Sequence, residues 1–418
     1  MRLMILCIAA CLVAGSCTSV VAGENCRDCH RIELTGAHRA VACLSCHVSE
    51  TETIANPAAA VGKAAPCDRC HKGYGAVFSH VMGTRSREKA FVDRGPGRLD
   101  KGFFEKNCTG CHVRTCLDCH EGTGHRIGKA TTDKCLNCHK GYYIGAEYQG
   151  RAPREDSLRY QRGKTAHGET YLTMRPDIHA EAGLACGSCH SMKSLAAGEK
   201  SGKTCTDCHR VSREPVEHRI AAHLEKLECY ACHSAWAAQE YGTFFLRFTE
   251  SRSREDFWVK GSENPGEYLR SAYLRTQDAP PLGLNGRGRV SPIRPQFIAY
   301  YTHIWHDRAE GRENRLAAAE WKAFFPHTTR RGTVMCDGCH DAPRRFLLEP
   351  RKDRIYRLAE DGMQLESFWD RNSQTVVNGS FLPVERYRRL AARGPEFQKG
   401  YLDKWQLLLN RVDASSSR

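Results

Sequence analysis

A short motif, Cys-x-x-Cys-His, occurs ten times between Cys26 and His340. Two thiols three positions apart lie on one helical turn, and an imidazole follows the second thiol directly. Both thiols can form thioethers with the two vinyl groups of one haem while the histidine ligates its iron. Random order of this composition would give about 0.06 copies of the motif, so the repeat predicts ten covalently attached c-type haems.

The motif assigns a role to each of its chemically active residues. The predicted thioether cysteines are Cys26, Cys29, Cys43, Cys46, Cys67, Cys70, Cys108, Cys111, Cys116, Cys119, Cys135, Cys138, Cys186, Cys189, Cys205, Cys208, Cys229, Cys232, Cys336 and Cys339. The predicted proximal iron ligands are His30, His47, His71, His112, His120, His139, His190, His209, His233 and His340. Zinc is the alternative cofactor, but a tetrahedral zinc site does not require a histidine directly after every second cysteine.

Ten histidines lie outside the motifs and are candidates for the distal side of each iron. They are His38, His80, His125, His167, His179, His218, His223, His303, His306 and His327. An iron with two imidazole ligands is closed to substrate, which suits electron transfer rather than chemistry at the metal. Two alternatives stay open: some irons take a methionine such as Met82 or Met174, or keep an open distal position.

Position along the chain refines some of these distal candidates. His38, His179 and His223 each precede a motif by a few residues, too near to reach round their own haem, so each is predicted to ligate a neighbouring one. His327 is the favoured distal ligand of the tenth haem. His303 and His306 could share one helical face, with His306 the weaker candidate.

The first residues are typical of a secretory signal, because Arg2 precedes an apolar run from Leu3 to Val13 that is too short to span a bilayer. Cleavage after Ala22 would remove all three cysteines that lie outside the motifs. A relaxed lipoprotein box before Cys17 would instead leave that cysteine as a lipid anchor. Both sites predict export, to the periplasm or the outer membrane.

The ten motifs resemble those of the bacterial multihaem cytochromes c of decahaem size, and they cover the chain from Cys26 to His340. The resemblance implies haem attachment outside the cytoplasm and electron transfer between closely spaced haems. It implies redox protein partners: a membrane quinol oxidase module as donor, and another cytochrome, a reductase or an extracellular acceptor in anaerobic respiration. Decahaem conduits distribute their motifs evenly over two halves, whereas here nine motifs lie between Cys26 and His233 and the tenth begins only at Cys336.

Motif spacing and composition predict the domain organisation. We expect a signal peptide over 1–22, a six-haem region over 23–150, a three-haem region over 151–235 and a domain with the tenth haem over 236–418. Apolar residues make up 41% and mean hydropathy is −0.55, so haem is expected to supply much of the core. The predicted fold class is mostly α with extensive irregular loops and little β structure, with an α-rich C-terminal domain. Its helices are predicted over Arg315–Phe325 and Pro383–Leu409.

The formal charge of +14 does not indicate nucleic-acid binding in an exported protein. The propionates of ten haems would add about −20 and ten ferric irons about +10, which leaves about +4 when oxidised and about −6 when reduced. Most basic side chains are therefore expected to pair with propionates or face solvent, while Arg330 and Arg331 could meet an acidic partner or anionic substrate. The alternative to an electron carrier is a reductase of a small nitrogen or sulfur oxyanion at one haem with an open distal site.

Overall fold

The computed structural model describes residues 34, 36–47, 67–108, 113–120, 126–136, 138–139, 147–149, 162–166, 169–173, 177–198, 202–234, 237–254, 267–277, 280–332, 334–350, 371 and 374–416. The leader, with both predicted cleavage sites, lies outside them. The chain divides into two compact units. The smaller unit contains Met1–Thr84, His112–Lys134 and Met192–Lys200, and the larger unit contains Arg85–Cys111, Cys135–Ser191 and Ser201–Arg418.

Most helices are only one or two turns long. The α-helices are α1 (Val81–Thr84), α2 (Ser86–Arg94), α3 (Phe103–Asn107), α4 (Leu117–His120), α5 (Thr132–Leu136), α6 (Ile178–Glu181), α7 (Cys186–Cys189), α8 (Met192–Ala196), α9 (Val216–Arg219), α10 (Ala221–Lys226), α11 (Cys229–His233), α12 (Asp337–His340), α13 (Val384–Ala391) and α14 (Gly394–Ser416). Short 3₁₀ segments cover Gly36–His38, Cys43–Ser45, Tyr74–Ser79, Pro96–Arg98, Cys205–Asp207 and Pro343–Phe346. Six motif turns lie in these elements, as α4, α7, α11, α12 and the 3₁₀ segments that begin at Cys43 and Cys205.

The larger unit is built on β-sheet. Its strands are β1 (Glu147–Gln149), β2 (Arg162–Ala166), β3 (Glu169–Thr173), β4 (Ala237–Thr249), β5 (Tyr268–Gln277), β6 (Leu282–Asn285), β7 (Val290–Trp305), β8 (Arg308–Ala309), β9 (Arg315–Ala323) and β10 (Gly379–Ser380). Strands β1, β3 and β2 form a three-stranded antiparallel sheet. The main sheet has seven strands in the order β10-β6-β7-β4-β5, with β8 and β9 also paired to β7. The pairing of β4 with β7 is parallel, so this sheet is mixed.

Strand β7 is the centre of the main sheet, and its sequence is rich in the β-branched and aromatic residues that favour strands. It also contains Pro292 and Pro295, which cannot donate to a strand ladder. The register against β9 shifts between Pro295 and Phe297, so a bulge lies next to the second proline. At its end, His306 and Asp307 form a two-residue hairpin turn with positive φ at both positions.

Successive side chains of β7 point to opposite faces of the main sheet. Both faces are buried. On one face, Tyr300 packs with Trp321 in a cluster that contains Ile293, Ile298, Ala323, Leu347 and Val376. On the other face, Tyr301 packs in a cluster that contains Phe91, Val92, Phe103, Phe104, Phe245, Ala299 and Ala318. The segment around α2 and α3 therefore covers this second face.

The predicted fold class is wrong, because the C-terminal half carries this seven-stranded mixed sheet rather than an α-rich domain. The segment predicted as a helix over Arg315–Phe325 is strand β9. Its alanines are good helix formers, yet here they leave room for another segment. A Cβ built on Gly95 would lie 2.8 Å from the Cβ of Ala318, so the backbone after α2 sits directly on the strand.

The prediction of helix over Pro383–Leu409 is confirmed, because α13 and α14 lie there, and they are separated just before Gly394. The helical face predicted for His303 and His306 is wrong. His303 lies within β7, and His306 lies in the tight turn that follows it. The aromatic and β-branched residues around them favour the extended backbone.

Candidate functional site

Each described attachment motif forms a closed backbone turn. The N–H of the motif histidine donates to the carbonyl oxygen of the first motif cysteine at 2.8–3.1 Å. These bonds join His47 to Cys43, His71 to Cys67, His120 to Cys116, His139 to Cys135, His190 to Cys186, His209 to Cys205 and His340 to Cys336. The ninth motif forms the whole of α11. Such a turn brings both cysteines and the histidine to one side of the backbone, as haem attachment requires.

Among the described residues, five motif histidines each lie beside a histidine from outside the motifs. The distances between ring centroids are 6.1 Å for His38 and His71, 5.9 Å for His179 and His209, 6.4 Å for His190 and His327, 6.1 Å for His218 and His233, and 6.2 Å for His223 and His340. We call these five sets the histidine pairs. Each joins one predicted proximal ligand with one predicted distal ligand.

The spacing of the histidine pairs fits an iron between the two rings. A bond from a metal to an imidazole nitrogen is about 2.0–2.1 Å, and adding the distance from nitrogen to ring centre on both sides gives about 6 Å between centroids. No cluster of three or more His, Cys, Asp or Glu side chains able to hold a metal occurs in the described part of the chain. The pairs themselves offer two ligands each, which is the number that haem leaves for the protein.

The outer nitrogen of many paired rings is already engaged. Nδ1–H donates to a protein oxygen in His179 (Asp177 Oδ1, 3.0 Å), His218 (Ser212 O, 2.8 Å), His223 (Glu217 O, 3.1 Å), His327 (Phe325 O, 3.0 Å) and His340 (Leu390 O, 2.6 Å). Because the acceptors carry no proton, Nδ1 must carry it, and Nε2 keeps its lone pair. This is the tautomer that a metal-ligating histidine needs.

Burial also favours the neutral rings that can ligate. It lowers the pKa of His327 to about 4, and the neighbouring His190 adds to the effect. Burial likewise lowers the pKa of His223 and of His233. These rings are therefore unprotonated at neutral pH, as iron ligation requires.

The ring of His190 lies close against the backbone of a glycine. A Cβ built on Gly202 would lie 2.9 Å from Cε1 of His190, closer than real Cβ contacts allow. In the smaller unit, a Cβ on Gly198 would lie 2.7 Å from the ring of His80. Both glycines leave space that a larger residue would take from an imidazole.

The pairings agree in part with the positions expected from the sequence. His38, His179 and His223 each lie beside the histidine of a motif other than the one they precede. The assignment of His327 to the tenth motif is wrong in placement, because its ring lies beside His190 of the seventh motif. The ring beside His340 of the tenth motif is that of His223.

The remaining distal candidates are placed differently. His303 is engaged on both ring nitrogens, by Thr249 Oγ1 at 2.6 Å and Glu310 Oε2 at 2.5 Å. His306 is exposed and its Nε2 lies 3.3 Å from Glu250. His125 and His167 lie outside the described residues, as do the first motif and His112. The fourth and fifth motifs begin only eight residues apart, at Cys108 and Cys116, and the close contact of two haems that this spacing predicts stays a prediction.

Attachment cysteines from different motifs meet in both units. In the larger unit, Cys205 of the eighth motif hydrogen-bonds to Cys229 of the ninth, which raises the pKa of the former and lowers the pKa of the latter to about 6. Burial raises the pKa of Cys232 to about 12, with a further contribution from Cys339 of the tenth motif. In the smaller unit, Cys67 hydrogen-bonds to Cys116.

Hydrophobic packing ties the ninth and tenth motifs to the main sheet. Ala231 in α11 is buried with Leu282, Leu284 and Val290 of the sheet and with Phe346, which follows the tenth motif. The buried guanidinium of Arg345 donates to Ala231 O at 3.2 Å and to Cys339 Sγ at 3.4 Å, while its Nε has no hydrogen-bond partner among the described residues. A buried cation with an unsatisfied donor beside an attachment cysteine fits an anionic group such as a haem propionate.

The adjacent arginines singled out in the sequence line a cavity of about 480 Å³. Its walls are Ile178, Glu181, Ala182, Arg330, Arg331 and Gly332. Arg330 lies 3.3 Å from Glu181, so one of the two cations already has an acidic neighbour. The cavity adjoins α6, the helix that carries His179.

Comparison with protein-family models, with curated proteins and with solved structures finds no match for this chain. Among the described residues, no helix has the length and apolar character needed to cross a membrane.

Two functionally placed residues near the histidine pairs, Asp177 and Arg345, could not be identified from the sequence alone. Asp177 is one of many acidic residues, and only its place before α6 makes it a helix cap. Arg345 stands in a run of charged residues that looks solvent-exposed. Their burial follows from packing against distant segments, which a local pattern does not encode.

Proposed function

We propose that the chain is an exported c-type cytochrome that carries ten haems and transfers electrons along them. The observation that carries the proposal is the one-to-one pairing of motif histidines with outside histidines at 5.9–6.4 Å. Ordinary ring contacts would not be expected to select one partner from each class five times among the described residues.

Bound haem c would supply a reversible one-electron iron couple. The chain's own residues determine what that couple can do. Cysteines of the closed turns would hold the group covalently, and the paired imidazoles would ligate its iron. With two imidazoles on each iron, electron transfer rather than chemistry on a substrate is the function that these residues would support best.

Contacts between motifs support transfer within the chain. Cys205 touches Cys229, and Cys232 neighbours Cys339, so the eighth, ninth and tenth motifs follow one another in space. Attachment residues this close bring the groups that they hold close together as well. We therefore propose that these three motifs form a continuous stretch of the electron path.

The proposed setting follows from the leader and from the motif resemblance. The protein would work in the periplasm or at the outer membrane, with a lipid anchor at Cys17 if the lipoprotein box is used. A quinol-oxidising membrane module would donate electrons, and a reductase or an extracellular acceptor would receive them.

The proposal is tested on the full chain, expressed in a host that exports and matures c-type cytochromes. Alkaline pyridine spectra should give ten haems per chain, and low-temperature EPR of the oxidised protein should show low-spin ferric iron at the paired sites. A mature protein with no bound haem, or with mainly high-spin iron, would contradict it.

A further inference from the structure

The carboxylate of Asp177 is built into one of the histidine pairs. It caps α6, and its side chain is 6% exposed. Oδ1 accepts the backbone N–H of His179 at 2.7 Å and the ring Nδ1–H of the same residue at 3.0 Å. Oδ2 accepts the backbone N–H of Thr329. The carboxylate is therefore held from two directions and cannot easily turn away from the ring.

This ring differs from other paired rings in the charge of its acceptor. Nδ1 of His218, His223 and His327 donates to neutral backbone carbonyl oxygens. Nδ1 of His179 donates to a carboxylate, which is a stronger acceptor. A carboxylate behind a ligating imidazole raises the basicity of the nitrogen that faces the metal.

A more basic ligand stabilises ferric iron more than ferrous iron, since the ferric ion carries the greater charge. Hydrogen bonding behind the axial ligand is one of the means by which a protein sets a haem potential. We propose that Asp177 is a positioning residue that acts through His179 and lowers the reduction potential of the haem held by His179 and His209. This inference rests on the proposed function, because it requires haem at that pair.

The connection to Thr329 links this effect to neighbouring pairs. Thr329 lies two residues after His327, and its carbonyl accepts the backbone N–H of Ile178 at 3.0 Å. The next residue, Arg330, donates its backbone N–H to the carbonyl of His233 at 3.0 Å. The segment 327–330 thus holds the Asp177 carboxylate in place, contains His327 of one other pair and contacts His233 of a third.

The test is the substitution Asp177→Asn, which keeps a helix-capping side chain and an acceptor for Nδ1–H but removes the charge. In a potentiometric titration followed by visible absorption, about one haem in ten should become easier to reduce. We expect a change of about tenfold in its oxidation equilibrium, which for a one-electron couple is about 59 mV. The low-spin EPR signal of that haem should shift as well, while the number of haems per chain stays at ten. If Asp177 had a purely structural role, the substitution would not shift this signal without loss of haem.

The matched control is Glu181→Gln, which removes an exposed carboxylate from α6, the same helix that carries His179. The Glu181 carboxylate lies 3.3 Å from the guanidinium of Arg330, whereas Nδ1 of His179 donates to Asp177. Loss of this charge should leave the potentials within the error of the titration. An equal shift in both variants would overturn the inference, because the effect would then be one of net charge near the haem.

A second variant separates this inference from the proposed function. If His179 ligates haem, His179→Ala should give a high-spin ferric signal from about one haem in ten. If His179→Ala gives that signal while Asp177→Asn leaves all potentials unchanged, the role of Asp177 is wrong and the haem assignment stands. If His179→Ala leaves the spectrum unchanged, the haem assignment at this pair is wrong.

Discussion

The rings of His190 and His327 lie 6.4 Å apart, although the two residues come from opposite halves of the chain. His190 belongs to the seventh attachment motif, while His327 follows the last long strand of the main sheet. A haem ligated by both would join these segments through iron. Ligation of one iron by both rings would stabilise the fold as a cross-link does, because the two ligands are far apart in sequence.

Removal of one paired ring tests this ligation. The substitution His327→Ala should open the distal position of the seventh haem and convert about a tenth of the oxidised iron from low-spin to high-spin. Low-temperature EPR measures the fraction. The control is His306→Ala, which removes an exposed histidine whose Nε2 faces Glu250. Equal spectra for the two variants would show that His327 is no ligand.

A glycine beside the same pair gives a finer test. The substitution Gly202→Ala would place a methyl group 2.9 Å from Cε1 of His190, so the ring must shift. We expect a change in the EPR signal or the potential of the seventh haem, with the haem count unchanged. Gly187→Ala lies within the seventh motif but meets open space, and it should leave both quantities as they are. A silent Gly202→Ala variant would argue against a ring fixed by this contact.

These tests separate what a sequence pattern encodes from what it does not. The attachment turn is local, since Cys186 and His190 are four residues apart and their backbone bond closes one helical turn. Distal ligands come from distant parts of the chain that only the fold brings together, so the pairing of His327 with His190 could not be derived from motif spacing.

The main sheet was not predicted for a related reason. The alanines of β9 favour a helix in isolation, and the pairing with β7 together with contact to Gly95 overrides that preference.

A buried ionic cluster under the main sheet makes stability depend on pH. Asp100 accepts hydrogen bonds from Tyr268 at 2.5 Å and from Lys106 at 3.0 Å. Burial alone would raise the pKa of the Asp100 carboxyl, but these hydrogen bonds outweigh it and leave the pKa below its usual value. The stabilisation is therefore present above the unfolded pKa of about 3.9 and is lost as the pH falls through the lower folded pKa.

The substitution Asp100→Asn should lower the free energy of unfolding by about 2–3 kcal/mol at pH 7, because buried donors lose a charged acceptor. Urea titrations of variant and parent measure the difference, which should shrink below about pH 4. Asp93→Asn changes an exposed carboxylate in the same segment and should cost less than about 0.5 kcal/mol. A difference that does not depend on pH would refute the assignment of the effect to the Asp100 charge.

The buried guanidinium beside the tenth motif should also contribute to stability. Arg345→Leu would leave Ala231 O without the donor now 3.2 Å away and would remove the contact to Cys339. We expect a loss of about 2–3 kcal/mol in the free energy of unfolding, again from denaturant titration. The adjacent exposed Arg344 provides the control, and Arg344→Leu should change stability by less than about 0.5 kcal/mol. Equal effects at both positions would mean that burial of Arg345 does not matter.

If the histidine pairs hold haem iron, iron must lie between the two rings of each pair, where diffraction can locate it. Crystals of the mature protein, measured at the iron absorption edge, would give an anomalous difference map. We expect an iron peak midway between the rings of each pair, including His190 with His327 and His223 with His340. Iron peaks that lie away from these rings, or paired rings with no iron between them, would contradict it.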